Sequence, residues 1–166
     1  MKHKIARKQI NAKSCLVCGY ENDFGLHMSF YETEDNLVVG TLNGSFQHQS
    51  YPERMHGGLI TAALDETIGR ALWLVERDIY AVTTEINVKF RKPVPLGKEL
   101  YVVGEIVRNT SRIFEGAGKI TDETGAAVDT LADGTLYELR VSIADGGALD
   151  LSEAEKEIKI SVVLAK

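Results

Sequence analysis

The 166-residue chain has little of several things, and each scarcity excludes something. Two cysteines, Cys15 and Cys18, are too few for a disulfide framework, which fits a reducing compartment. Three prolines and the lack of any low-complexity run exclude a disordered or collagen-like chain. No stretch approaches the ~18–20 apolar residues that cross a bilayer. The most apolar region, Gly57 to Val75, is interrupted by Asp65, Glu66 and Arg70. The basic start, with Lys2, Lys4, Arg7, Lys8 and Lys13, is followed by no apolar signal segment. These absences predict a cytoplasmic protein with no membrane partner. Positive charge is also in deficit: 19 Lys and Arg stand against 24 Asp and Glu, a net charge of −5. Phosphate binding wants a basic surface, so nucleic acid is not the expected partner.

What is present is ordinary for a globular domain: 44% hydrophobic and 26% charged residues in a length that suits one domain. Residues 1–14 read as a polar arm or short leading helix, 15–145 as the single domain, and 146–166 as a C-terminal extension. β-like character begins at Leu26–Tyr31 and returns at Leu37–Leu42. Residues 43–55 read as a loop. Gly57 to about Glu76 is the one strong helix, with apolar residues on all sides, the pattern of a helix buried on most sides. Four β-like runs follow: Ala81–Arg91, Glu99–Arg108, Arg112–Thr121 and Ala126 to about Val141. The first alternates, with Val82, Thr84, Ile86, Val88 and Phe90 on one face. The third carries Gly116 and Gly118 on one face, where a close neighbour fits. Asp122-Glu123-Thr124-Gly125 reads as a hairpin turn. In the tail, Ser152 and Glu155 have capping-box spacing, while Ile158, Ile160 and Val162 alternate like a strand. Strands joined by hairpins predict an antiparallel sheet, and a single long helix needs a curved sheet to bury it. The expected class is α+β.

One carboxylate is out of place. Asp65 lies mid-helix, and its neighbours three and four residues away are Thr61, Ala62, Ile68 and Gly69, none of them basic. Glu66 differs, because Arg70 follows four residues later in the favourable acid-first order. Asp65 shares its stripe with small residues, Gly58, Thr61, Ala62 and Gly69. A carboxylate there is either partly desolvated, and so a candidate general base, or a solvated edge residue.

His56-Gly57-Gly58 opens the helix. Its first N–H groups have no internal partner and can hold a phosphate or an oxyanion, although a plain helix-start loop gives the same residues. Gly57 and Asp65 are eight residues apart, about 12 Å along a helix. One small reacting group cannot touch both in one chain, so a site using both must be shared between subunits.

Cys15-x-x-Cys18 lacks the second pair of ligands that a structural zinc site usually has, and His27 is the nearest histidine. A plain turn or a reversible disulfide is the expectation, with no metal and no cofactor. His48 and Gln49 lie in the loop before the helix, where polar groups can reach a bound carbonyl. Lys89, Arg91, Lys92, Arg108 and Arg112 are either phosphate-binding or ordinary strand-end charges.

The run from His56-Gly57-Gly58 to Asp65-Glu66 resembles the hotdog-fold acyl-CoA thioesterases of the phenylacetate-pathway type. Thr83-Thr84-Glu85 through Pro93 resembles the strand after the central helix in that family, and Cys15 to Leu26 the lead-in of one subgroup. The resemblance covers about residues 15–140. It implies an antiparallel sheet wrapped around one long helix, a homodimer that often pairs into a tetramer, and hydrolysis of a thioester. It implies that Asp65 is the catalytic carboxylate. Gly57 would polarise the thioester carbonyl from the neighbouring subunit, and Thr83 would help place water or the carboxylate. His56, Gly58, Thr84, Arg91, Lys92 and Arg112 join as substrate-binding candidates, with the coenzyme A arm along the basic strand ends. Many relatives carry Asn or Gln six residues before the motif histidine. Here that residue is Ser50, flanked by His48 and Gln49 as candidate substitutes. Two further readings fit parts of the pattern: a non-catalytic acyl-CoA-binding or regulatory module, and a hydratase, for which no matching histidine motif is present.

Overall fold

In the computed structural model, which describes residues 3–77, 79–90 and 92–122 and the strands at 137–140 and 162–165, the apolar run after His56 forms one helix. This is α1 (Gly57–Ala71), continued by a 3-10 turn at Leu72–Leu74. The strands are β1 (Ile5–Lys8), β2 (Phe30–Thr33), β3 (Val38–Asn43), β4 (Val82–Glu85), β5 (Glu99–Asn109), β6 (Ile113–Thr121), β7 (Tyr137–Arg140) and β8 (Val162–Ala165). All described pairings are antiparallel, in one sheet of order β1-β2-β3-β5-β6-β8-β4, with β7 also on β6. The α+β arrangement of an antiparallel sheet around a central helix is therefore the one expected.

The core lies between α1 and the sheet. Ile60, Leu64, Ile68 and Leu72 of the helix segment are buried with Phe30, Leu42, Leu100, Phe114 and Ile120. Full burial of each such side chain contributes roughly 1.5–3 kcal/mol. Three strand glycines set how close the helix comes. A Cβ at Gly104 would stand 2.9 Å from the Thr67 carbonyl oxygen, and Cβ atoms at Gly116 and Gly118 would stand 2.5 and 3.0 Å from Ile68. The close neighbour of Gly116 and Gly118 is thus α1 itself.

Several segments differ from the sequence reading. Within the first fourteen residues, 5–8 are a strand and not a helix: β1 is hydrogen-bonded to β2, and Arg7 on it donates to Glu32. An edge strand with mostly outward side chains carries little apolar alternation. β2 begins at Phe30 rather than Leu26, although Leu26 and Met28 are buried without a ladder. The run Ala81–Arg91 keeps strand pairing only over β4, and 86–90 lie outside any strand. Residues 123–125 of the Asp122–Gly125 turn, most of the Ala126–Val141 strand and the capping-box segment from 152 lie outside the described residues. The last strand, β8, joins the sheet between β6 and β4.

Candidate active site

Asp65 sits half-buried on α1, and its Oδ1 accepts a hydrogen bond of 2.6 Å from the Thr83 hydroxyl on β4. Burial pushes the Asp65 carboxyl above the ordinary aspartate range. The Thr83 hydrogen bond pulls it part of the way back, and the neighbouring Glu66 charge adds to the rise. The helix continues unbroken from Gly57 through Asp65, so the two remain about 12 Å apart along its axis.

The start of α1 is built by His56. Its Nδ1 accepts the Gly58 N–H at 3.0 Å, and its carbonyl accepts from Leu59 and Ile60. The Gly58 N–H is therefore committed inside the chain. The Gly57 N–H meets no acceptor among the described residues. Phe90 covers the Gly57 Cα: a Cβ there would touch its ring at 3.5 Å, an ordinary contact.

Of the two threonines on β4, the one that reaches Asp65 is Thr83. Alternation places Thr84 with the apolar face, but on β4 that face points outward, with Val82 72% exposed, while Ile86 and Val88 beyond the strand pack against the core. Thr83 is the half-buried member of the pair, and Thr84 is exposed.

The loop candidates are bonded to other residues of the chain. His48 is buried; its Nδ1 accepts the Ser45 N–H at 3.0 Å, which leaves Nε2 to donate to the Phe24 carbonyl at 3.2 Å. Gln49 Oε1 accepts from the Glu53 N–H at 2.9 Å, and the exposed Ser50 donates its N–H to the Arg54 carbonyl. Both ring nitrogens of His48 are thus engaged in shaping the loop that leads into α1. Lys92 lies just after the covering Phe90, while Arg112 is exposed in the β5–β6 turn. Arg91 lies outside the described residues.

Sequence reasoning missed the surroundings of Glu66. Glu66 and Arg70 form the expected pair at 3.0 Å, but Arg70 is also buried against Phe30, 4.2 Å from its ring centroid. Arg70 donates to the Ile10 carbonyl, to Gln9 and to the Cys18 sulfur. The Cys15 thiol meets Glu66 Oε2 at 3.5 Å. Burial pushes the Cys18 thiol up to about 11. No signal short of the fold brings residues 15–18 to this helix face.

A family model described as "Thioesterase superfamily" matches residues 53–128, which include α1, β4 and both Asp65 and Thr83. Acyl-coenzyme A thioesterase THEM4 of Mus musculus is 28% identical over 119 residues, 71% of this chain and 47% of its own. The chain spans about half the length of the curated relatives it matches. The solved thioesterase superfamily protein RHA08564 superposes with a TM-score of 0.65 at 20% identity, covering 92% of this chain and 63% of that one. The PaaI protein of E. coli, from its phenylacetic acid degradation operon, gives 0.59 at 11% identity over 85% of this chain and 80% of that one. At these identities the structures speak for the fold, and the family model marks a likeness over residues 53–128. Over residues 53–128 the chain is similar to the thioesterase superfamily, and its fold is the hotdog fold of these solved structures.

Proposed function

We propose that this protein hydrolyses the thioester of an acyl-CoA or a related acyl carrier, with Asp65 as the catalytic carboxylate. The observation that carries the reading is Asp65 itself: half-buried, raised above its ordinary range, and oriented by Thr83. A raised carboxylate is the stronger base once ionised. It takes a proton from water as the oxygen attacks the thioester carbonyl, or attacks that carbon directly to give an acyl-enzyme anhydride that water then hydrolyses, freeing the acid and the carboxylate. The carbonyl oxygen becomes an oxyanion, and the intermediate collapses by expelling the thiolate, which is then protonated. The Gly57 N–H is the oxyanion donor in this reading, and Gly58 is not, because its N–H is held by His56.

The 12 Å between Gly57 and Asp65 requires the glycine to come from a second copy of the chain. Two features support such a homodimer. β4 ends the described sheet, and Tyr80, Val82 and Phe90 beside the site expose 81, 72 and 52% of their surface. Dimer or tetramer assembly, coenzyme A contacts at Lys92 and Arg112, and a phenylacetate-pathway type of substrate belong to the same proposal.

The test is release of free thiol from short, medium, long and aryl acyl-CoAs by the protein and by Asp65→Asn. A fall in turnover of about 10²-fold or more, with fold and oligomer intact, is the expected outcome. Near-normal turnover in the variant would remove Asp65 from the chemistry. A second reading, an acyl-CoA-binding module without turnover, is favoured by one observation: both ring nitrogens of His48 and the Gln49 side-chain oxygen already have partners within the chain. Ligand retained unchanged by the wild-type protein would select it.

A further inference from the structure

We propose that Cys15, Cys18 and Glu66 form a zinc site that ties the turn after β1 to the face of α1 adjoining Asp65. The donor atoms of these three residues all lie within 4.8 Å of one another, although Glu66 is 51 residues from Cys15. The one sulfur–oxygen separation between Cys15 and Glu66 matches coordination. Tetrahedral zinc with Zn–S near 2.3 Å and Zn–O near 2.0–2.2 Å sets sulfur and oxygen about 3.5–3.7 Å apart. Cys15 Sγ and Glu66 Oε2 stand at 3.5 Å.

The turn is wound to present sulfur. The N–H groups of Val17 and Cys18 donate to Cys15 Sγ at 3.3 and 3.5 Å and hold that sulfur on the side of the turn facing Glu66. Gly19 closes the turn onto the Cys15 carbonyl at 2.9 Å, where a Cβ would stand 2.3 Å from that oxygen. The loop thus permits only glycine after the second cysteine. Arg70 donates to both Cys18 Sγ and Glu66 and orients two of the three donors from behind, as outer partners of metal ligands do.

Charge also fits. Two thiolates and Glu66 carry three negative charges, which Arg70 and a divalent ion balance. Thiolates select zinc over the hard cations magnesium and calcium. Cys15 is half-buried and gives the ion access, while Cys18 is 1% exposed. Three protein donors leave the fourth tetrahedral position to a water. On binding, two S–H bonds release their protons to solvent as two S–Zn bonds form; no electron is transferred.

The inference is independent of the proposed hydrolysis, because metal analysis reads it directly. The full-length reduced protein is loaded with zinc, dialysed and assayed for metal, and separately titrated with cobalt. The expected result is about one zinc per chain and a thiolate-to-cobalt charge-transfer band. Both are lost in the Cys15→Ser, Cys18→Ser double variant, and zinc affinity falls tenfold or more in Glu66→Gln. Zinc retention no greater than that of the double variant, or cobalt binding without the thiolate band, overturns the site. Should the double variant fail to fold, the wild-type protein still decides. Zinc must slow modification of the thiols by a disulfide reagent at least tenfold, and an unchanged rate overturns the site. Recovery of Cys15 and Cys18 as a disulfide that excludes zinc also overturns it.

Discussion

Asp65 and Glu66 are adjacent on one helix, yet their surroundings are opposite. Glu66 faces a cation, two thiols and the β1–β2 edge, where Arg7, Gln9, Glu32 and Arg70 bond in sequence. Among the described residues Asp65 meets one neutral hydroxyl and no cation. Successive residues on an α-helix point about 100° apart. One step along the chain therefore separates a carboxylate anchored by charge from one left under-compensated. The anchored one has a structural reason for its charge. The other needs a chemical reason, and that asymmetry is the stronger guide to the site.

The comparison breaks most visibly on the anchored side. Arg70→Met would leave Glu66 partly buried without its cation and remove the stacking on Phe30. We expect a loss of about 3 kcal/mol or more, read by urea denaturation. A loss below about 1 kcal/mol would show that the pair is no anchor. On the other side the large effect is catalytic, the 10²-fold fall for Asp65→Asn described above, equivalent to about 2.7 kcal/mol of barrier. Thr83→Val is expected to be milder, roughly tenfold in kcat/KM. It also has a signature a packing defect lacks. The hydroxyl lowers the Asp65 pKa, so its loss raises that pKa and moves the acid limb of the pH profile to higher pH. An unmoved limb would deny the hydrogen bond its role.

The smallest effect sharpens the contrast through stability. The folded-state pKa of Asp65 is raised, so the wild-type protein loses stability as pH rises from the ordinary aspartate value of 3.8 through the folded value. Asp65→Asn should therefore be slightly more stable than wild type at pH 7, with the gain vanishing below pH 3.8. Glu32 has the opposite sign. Burial alone would raise it, but hydrogen bonds from Arg7 and Gln9, with the Arg7 charge, hold it below the ordinary range. Its contribution is present above the ordinary glutamate value of 4.5 and is lost as pH falls through the folded value. Thermal melts of Asp65→Asn and Glu32→Gln from pH 3 to 8 should diverge from wild type in opposite directions. Parallel curves would collapse the distinction.

Much of this was legible in the residues. The helix and the β5 and β6 hairpin announced themselves, because dense apolar residues and clean turns sit where burial requires them. The odd position of Asp65 was legible because helix spacing alone lists its neighbours. Thr83 was obscured by its own strand. Alternation assumes that apolar side chains point into the chain's own core, and on β4 they point out of it. β1 was hidden for a related reason, since an edge strand needs backbone partners more than apolar ones. The cage around Glu66 was beyond local reading, because its members are 51 to 61 residues apart in the chain.

The glycine notches bear on which changes the chain can accept over evolutionary time. With Gly104 admitting the Thr67 carbonyl and Gly116 and Gly118 admitting Ile68, the helix has one rotational setting against the sheet. A point substitution in α1 disturbs one side chain. Insertion or deletion of one residue between Gly57 and Asp65 turns everything beyond it by about 100° relative to the start, and carries both carboxylates out of their own seats. The helix should therefore drift by substitution while its length stays frozen, with changes in length confined to loops such as 43–55.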